Sequence, residues 1–145
     1  MLGEVAAEVV ERARAVAPND VRITLDIADV ALVEADSELI ALVLANLIRN
    51  AWLHNPSEGR NVIVRVDRAR RASRVAVSDD GLGVPAADRA RIFDAFVRGR
   101  TSASRGSGIG LALCRQIVAA HGGTCELAST GASGSTFVLE VPSSR

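Results

Sequence analysis

The sequence predicts an α+β fold, a two-layer α/β sandwich in which helices cover one face of a mixed, mainly antiparallel sheet. Pairs of short alternating segments are separated by longer segments whose apolar residues fall on one helical stripe. Hydrophobic residues make up 48% of the 145 residues, which is enough to bury a core without disulfides or a structural metal. This length is typical of one domain, so we expect a single domain over residues 1–145.

The first elements alternate between helical and extended patterns. Residues 2–16 carry a stripe of valine and alanine that predicts a helix, and residues 21–27 alternate strictly, which predicts a half-buried strand. We expect residues 30–34 to form the hairpin partner of that strand. Asp36 or Ser37 can then cap the N-terminus of a second helix.

The rest of the chain adds four strands, one long loop and one helix. The capped helix is expected to run to about His54. The four strands are predicted at residues 61–68, 73–79, 124–129 and 135–141. A helix that begins near Ser107 and ends at residues 121–123 separates the two strand pairs. Residues 80–108 contain only a short helix, roughly 86–94, and such long segments inside a domain are usually functional loops or lids.

Composition and charge exclude several classes of function. The chain has 17 basic and 17 acidic residues and a pI of about 6.7, so we expect no broad attraction to nucleic acid or to an anionic membrane. The longest apolar stretch, residues 39–48, is too short to span a bilayer, and the acidic first residues predict no signal peptide. Cys114 and Cys125 lack metal-binding spacing, and we expect them to be reduced core residues in a cytoplasmic domain, whose parent protein can still be membrane-anchored.

Two asparagines mark the second predicted helix as a candidate site. Asn46 and Asn50 lie one turn apart, on the same helix face, within an otherwise apolar segment. Either the two amides lie at the edge of the buried stripe and contact water or backbone, or they form a polar strip that lines a ligand cavity. An amide oxygen is a hard, neutral ligand, suited to Mg²⁺ that keeps most of its waters and also binds substrate phosphates.

Three further segments are each open to a structural or a functional interpretation. The segment VSDDGLGVP (77–85) is either a turn after a strand or a carboxylate that accepts a ligand N–H beside permissive glycines. The segment RGSGIGLAL (105–113) is either a glycine hinge or an anion-binding helix N-terminus, and it lacks the Gly-Lys-Ser/Thr of a P-loop. In RIFDAFVRGR (91–100), Phe93 and Phe96 attach the loop to the core, while the arginines are solvated or bind phosphate.

Together these four motifs, in this order and spacing, resemble the catalytic and ATP-binding domain of bacterial sensor histidine kinases, within the wider family that has the Bergerat (GHKL) nucleotide-binding fold. The resemblance covers essentially the whole chain. It implies that Asn50 coordinates Mg²⁺, with Asn46 beside it near the phosphates. It also implies that Asp79 accepts a hydrogen bond from the adenine amino group and that Thr136 supports adenine from the opposite strand face to Phe137.

The resemblance therefore implies an ATP and Mg²⁺ site with an ATP lid at about residues 84–107. The catalytic residues that it implies are Asn46, Asn50 and Arg98, of which Asn50 is also the metal ligand. The nucleotide-binding residues that it implies, besides Asn50, are His54, Asp79, Gly81, Gly83, Val84, Phe93, Gly106, Ser107, Gly108, Ile109, Gly110, Leu111 and Thr136.

Three departures from the family pattern refine this expectation. Leu53 occupies a position where the family usually has Lys or Arg. Asn46 stands where the gyrase-type ATPases carry a Glu general base, which favours phosphoryl transfer over hydrolysis. Neither His54 nor His121 lies in the acidic helical motif of a phospho-accepting histidine, so we expect no autophosphorylation by this domain alone.

The function implied by the resemblance is donation of the γ-phosphoryl group of Mg-ATP to a histidine on a separate dimerisation and phosphoacceptor domain, with a response regulator downstream. That domain is expected on the same parent chain or on a split partner, and no contact with nucleic acid or membrane is expected from this domain itself. Two alternatives stay open: a non-catalytic nucleotide-sensing interaction module, and a related serine kinase of the anti-sigma type.

Overall fold

Apart from the second strand expected at residues 30–34, the helices and strands of the computed structural model follow the predicted order. It describes residues 2–28, 33, 35–53, 55, 59–89, 91–93 and 107–143, with only the backbone at 107–109. The described helices are α1 (Leu2–Val16), α2 (Ser37–Leu53), the short α3 (Ala86–Arg89) and α4 (Ser107–Ala120). The described strands are β1 (Arg22–Ile27), β2 (Asn61–Ala69), β3 (Ala72–Asp79), β4 (Thr124–Gly131) and β5 (Gly134–Pro142). None of the described helices is long and apolar enough to cross a membrane.

The five described strands form one mixed sheet in the order β1-β2-β3-β5-β4. The β1–β2 pair is parallel, and the other three pairs are antiparallel, which confirms the predicted mixed, mainly antiparallel sheet. Side chains of β2, β3 and β5 alternate between buried and more exposed positions, and the buried set joins α1, α2 and α4 in one core. The helices therefore cover one face of the sheet, as a two-layer sandwich requires.

The predicted hairpin between residues 21–27 and 30–34 is wrong. Strand β1 pairs in parallel with β2, from Arg22 opposite Asn61 onward. Within 30–34 the structure describes Val33 alone, and this residue bridges Ser143. A parallel pair needs a crossover, which α2 supplies between the two strands. Alternation along a strand shows that one face is buried, but it does not show which strand is the partner.

The start of α2 and the end of α4 lie where the sequence predicted them. The Asp36 carboxylate accepts hydrogen bonds from the backbone N–H groups of Glu38 (3.0 Å) and Leu39 (3.1 Å), which makes Asp36 the N-cap of α2. At the end of α4, Gly122 has a φ of 79° and the Gly123 N–H donates to Val118 O. The short helix that was expected at about 86–94 is confined to Ala86–Arg89 and is followed by a turn at 91–93.

His121 links these two helix ends. Its Nε2 accepts a hydrogen bond from the Asp36 N–H at 3.1 Å, so the ring proton lies on Nδ1, which donates to Ile117 O at 2.8 Å. Both ring nitrogens are therefore engaged between the C-terminus of α4 and the start of α2. This contact helps to hold the two helices that carry the asparagine pair and the glycine-rich segment.

Candidate functional site

Asn46, the first asparagine of the α2 pair, faces the first turn of α4. Asn50 is buried, with 9% of its surface exposed, and Asn46 is half-buried and donates through Nδ2 to Leu42 O at 3.0 Å. A Cβ at Gly110 would lie only 2.8 Å from Asn46 Oδ1, so glycine at this position lets α4 approach the amide. The amide stripe therefore borders the end of α4 whose backbone N–H groups favour anions.

Asp79 ends strand β3, and backbone amides hold its carboxylate. Its Oδ1 accepts hydrogen bonds from the N–H of Gly81 at 2.9 Å and from the N–H of Ser135 at 3.3 Å. A Cβ at Gly81 would lie 3.2 Å from that same oxygen and 3.3 Å from Asn55. Gly81 is therefore packed between two side chains, and backbone N–H groups from two segments of the chain orient the carboxylate.

The loop after Asp79 is fastened to the β4–β5 hairpin. Gly83 has a φ of 84°, and a Cβ there would collide with the carbonyl oxygen of Gly131. The next residue, Val84, donates its N–H to Thr130 Oγ1 at 2.7 Å, and Thr130 in turn bonds to the Ser135 hydroxyl at 2.8 Å. Sequence reasoning assigned no role to Thr130 or Ser135. Together they form the part of the β4–β5 hairpin against which the loop of residues 79–84 packs.

The structure does not bring Thr136 to the carboxylate of Asp79. Thr136 pairs with Ser78, and their hydroxyls bond at 2.8 Å on the sheet face away from the helices. Ser135, one residue earlier, is 5% exposed and is the residue that contacts Asp79. The alternation was predicted correctly, since Phe137 is buried on the helix face while Thr136 lies on the other face.

Phe93 attaches the turn at 91–93 to the core. It is 8% exposed and meets Phe137 edge-on, with ring centroids 6.0 Å apart. The guanidinium carbon of Arg115 lies 3.9 Å from the Phe93 ring centroid, and Leu111 is buried nearby in the same core cluster. The structural interpretation of Phe93 is therefore correct, and Arg115 is a partner that the sequence reasoning missed.

Asp80, which the motif treats as a variable position, accepts three hydrogen bonds from two asparagines. Its Oδ1 accepts from Asn55 Nδ2 at 2.7 Å and from the Asn61 N–H at 3.1 Å, and its Oδ2 accepts from Asn61 Nδ2 at 2.9 Å. Burial raises the pKa of Asp80, but the hydrogen bonds from Asn61 and Asn55 outweigh it, so the pKa is lowered overall.

Several predicted site residues lie outside the described residues. These are His54, Phe96, Arg98 and Gly106, together with most of the expected lid. The backbone of Ser107, Gly108 and Ile109 begins α4, and their side chains are likewise outside the description. Within the described residues, the site thus consists of α2, the 79–84 loop, the β4–β5 hairpin and the start of α4.

The described side chains fit a cation that takes only part of its ligands from the protein and the rest from water and a bound phosphate. Within the described ranges, no group of three or more His, Cys, Asp or Glu side chains converges on one point. Asn50 offers one neutral oxygen ligand on the buried stripe of α2. Proteins commonly bind Mg²⁺ in this way, with few protein ligands and with oxygens from water and substrate phosphate.

The sheet order, the single helix layer and the amide stripe beside α4 define an ATP-binding domain of the Bergerat type. The chain belongs to the family of histidine kinase-, DNA gyrase B- and HSP90-like ATPases, whose model matches residues 35–145. Over almost its whole length it also matches the catalytic, ATP-binding domain of sensor histidine kinases. The family that the four motifs predicted is therefore confirmed.

Three relatives illustrate this match. The sensor-like histidine kinase SenX3 of Mycobacterium tuberculosis is 35% identical over 144 residues, which cover 95% of this chain and 34% of SenX3. The mycobacterial sensor histidine kinase MprB superposes with a TM-score of 0.81 at 26% identity, over 98% of this chain and 95% of that structure. Full-length ShkA in complex with AMPPNP superposes with a TM-score of 0.85 at 26% identity, over 99% of this chain and 30% of that structure. The chain thus spans about a third of the length of the curated relatives it matches.

Proposed function

We propose that this domain binds Mg-ATP and donates the γ-phosphoryl group to a histidine on a separate dimerisation and phosphoacceptor domain, in two-component signalling. The observation that carries this proposal is the Asp79 carboxylate, held by the N–H groups of Gly81 and Ser135 at the end of β3. A carboxylate oriented in this way selects a ligand N–H donor, and the family is one of ATPases. The acceptor domain and a response regulator are the partners proposed for it.

Adenine occupies the Asp79 end of the proposed site. The carboxylate accepts a hydrogen bond from the amino group of the base, and the glycines at 81 and 83 let the loop pack closely against Asn55 and the β4–β5 hairpin. Val84 lies at the same loop, with its backbone N–H held by Thr130. Ser135 takes the supporting position beside Asp79 that the sequence motif had given to Thr136.

The phosphates occupy the α2–α4 end of the proposed site. Asn50 is the metal ligand, Asn46 lies beside the phosphates, and the backbone amides at the start of α4 bind phosphate oxygens. When bound, Mg²⁺ neutralises charge on the phosphate oxygens. His54, Arg98 and Gly106 are proposed to contact the nucleotide on the strength of the sequence motif alone.

The proposed reaction is transfer and not hydrolysis. The neutral amide of Asn46 cannot take a proton from water, and its Nδ2 already donates to Leu42 O. The domain therefore contributes position and charge, while the acceptor histidine brings its own nucleophile. His121 does not fit the acceptor role, because both of its ring nitrogens are engaged by backbone groups.

Calorimetric titration of ATP with and without Mg²⁺, on the wild type and on Asp79→Asn, tests the nucleotide site. We expect Mg-dependent binding by the wild type and a loss of about 10–100-fold in Asp79→Asn, because the new amide presents an N–H to the amino group of adenine. Asp67→Asn is the matched control, since Asp67 pairs with Arg74 at the far end of the same strands. Wild-type binding that Asp79→Asn leaves intact would exclude this adenine site.

Leu53 favours a second candidate, a nucleotide-sensing interaction module without transfer. This leucine is 38% exposed at a position where a cation would reach phosphate. Incubation of the domain and radiolabelled ATP with a histidine-bearing acceptor domain distinguishes the three candidate functions. Acid-labile label on the acceptor supports histidine transfer, acid-stable label supports a serine kinase, and nucleotide-dependent binding without label supports the module.

A further inference from the structure

We infer that Asp80 is a positioning residue for adenine recognition, which acts by tying the loop of residues 79–84 to Asn55, beyond the end of α2, and to Asn61, at the start of β2. This inference rests on the proposed ATP site and deepens it, because Asp80 would set where the carboxylate of Asp79 stands relative to Asn50. The motif itself assigns nothing to this position.

The Asp80 carboxylate has hydrogen-bond donors on both of its oxygens. It accepts three N–H groups, from the Asn55 side chain and from the backbone and side chain of Asn61. A carboxylate is an acceptor with several lone pairs, so three donors at 2.7 to 3.1 Å suit it. Its lowered pKa shows that these donors favour the charged form despite the cost of burial.

Asn55 is held in a fixed position. This residue is 2% exposed and lies two residues beyond the last residue of α2, with its N–H donating to Trp52 O at 3.3 Å. Arg60 brackets the same turn, because it donates to Trp52 O at 2.9 Å and pairs with Asp20 at 2.9 Å. These contacts hold Asn55 at the end of the helix that carries Asn46 and Asn50.

The position of Asn55 affects Asp79 through Gly81. Gly81 lies between Asn55 and Asp79, and a Cβ there would meet both side chains at 3.2 to 3.3 Å. The Gly81 N–H also donates to Asp79 Oδ1. If Asp80 releases Asn55, the layer formed by Asn55, Gly81 and Asp79 loosens, and the adenine acceptor shifts relative to α2.

The nature of the side chain at position 80 makes a rescue variant available. In Asp80→Asn the retained oxygen can still accept from Asn55 and from the Asn61 backbone. The new amide N–H can be accepted by Asn61 if its amide turns over, which also gives up the hydrogen bond from Asn61 Nδ2 to Gly59 O. In Asp80→Ala all three donors lose their acceptor, and the buried Asn55 has little access to water.

The test compares two nucleotides that differ only in the group that Asp79 recognises. Dissociation constants are measured by calorimetry for ATP and for purine ribonucleoside triphosphate, which lacks the 6-amino group. The readout is the ratio of the two constants, because a general loss of stability or of phosphate binding changes both constants together and leaves the ratio unchanged. The proteins are the wild type, Asp80→Ala, Asp80→Asn, Asn61→Ala and the control Asp67→Ala.

We expect Asp80→Ala to lower the wild-type preference for ATP by about tenfold, with Asp80→Asn and Asp67→Ala close to the wild type. Asn61→Ala keeps its backbone N–H and is expected to give an intermediate ratio, which preserves the test if Asp80→Ala does not fold. A wild-type ratio in both Asp80→Ala and Asn61→Ala would overturn the inference while leaving the proposed function intact. Absence of ATP binding by the wild type would overturn both.

Discussion

At the scale of single residues, two glycines with the same backbone conformation have different surroundings. Gly83 and Gly59 have positive φ values of 84° and 68°. A Cβ at Gly83 would collide with Gly131 O and lie 2.9 Å from Thr130 Oγ1, whereas a Cβ at Gly59 would meet nothing within 4 Å. The first glycine is therefore required by backbone conformation and by contact, and the second by conformation alone.

This difference predicts unequal costs for the same substitution. Gly59→Ala should lower the free energy of unfolding by about 1 kcal/mol, which is the cost of a left-handed alanine, and Gly83→Ala by roughly 2–4 kcal/mol because of the added collision. Urea denaturation of both variants and the wild type measures the difference. Equal losses would show that the 79–84 loop moves away from the β4–β5 hairpin at little cost.

At the scale of elements, Arg115 connects α4 to two other parts of the structure. Its guanidinium stacks on Phe93, its Nε donates to Cys125 O at 3.3 Å, and its other end pairs with Glu126. The side chain is 44% exposed, so its charge stays hydrated while its planar face covers the ring. The helix, the turn at 91–93 and strand β4 therefore meet at one side chain.

Removal of this side chain should cost more than removal of an ordinary surface arginine. We expect Arg115→Ala to lower the free energy of unfolding by about 1–2 kcal/mol, and Arg115→Lys to recover only part of it because an ammonium lacks the planar face. The matched control is Arg65→Ala, which breaks an exposed ion pair with Asp26 and should cost at most about 0.5 kcal/mol. Thermal and urea unfolding give the comparison, and equal effects of Arg115→Ala and Arg65→Ala would exclude a stacking contribution.

At the scale of the whole molecule, two buried thiols dominate the alkaline behaviour. Burial raises the pKa of Cys114 to about 12 and that of Cys125 to about 11, from an ordinary value of 9.0. The chain contains neither lysine nor tyrosine. Between pH 9 and pH 11, the two thiols are therefore the side chains whose ionisation differs between the folded and the unfolded chain.

The expected result is a stability that falls as the pH rises from about 9 to about 11. In this range the unfolded thiols lose protons that the folded thiols keep, so the unfolded state is favoured by a few kcal/mol, roughly, at the upper end. Urea unfolding under reducing conditions at several pH values measures the slope. The double variant Cys114→Ala with Cys125→Ala should be less stable throughout but nearly flat in this range, and an unchanged slope would contradict the assignment.

Sequence reasoning predicted the regular parts of this fold because their patterns are local. The cap at Asp36, the stop at Gly122 and the alternation of β2, β3 and β5 are properties of a few consecutive residues. The pairing of β1 was predicted wrongly because a parallel partner lies beyond a whole helix in the sequence. The proposed adenine motif rests on Asp79, Gly81 and Gly83, which are close in sequence, whereas the contact of Asp79 with Ser135 joins two strands far apart in the chain.

The sequence by itself determined the family, most of the helices and strands, and the residues Asn46, Asn50 and Asp79 that define the proposed site, because motifs and periodicity are written in the order of residues. Only the tertiary structure decided that the Ser135 N–H meets the Asp79 carboxylate, that Asp80 binds Asn55 and Asn61, and that Arg115 covers Phe93. These contacts join residues far apart in the chain. Which of them meet depends on strand pairing and on the sheet face that the helices cover, and no local pattern records either.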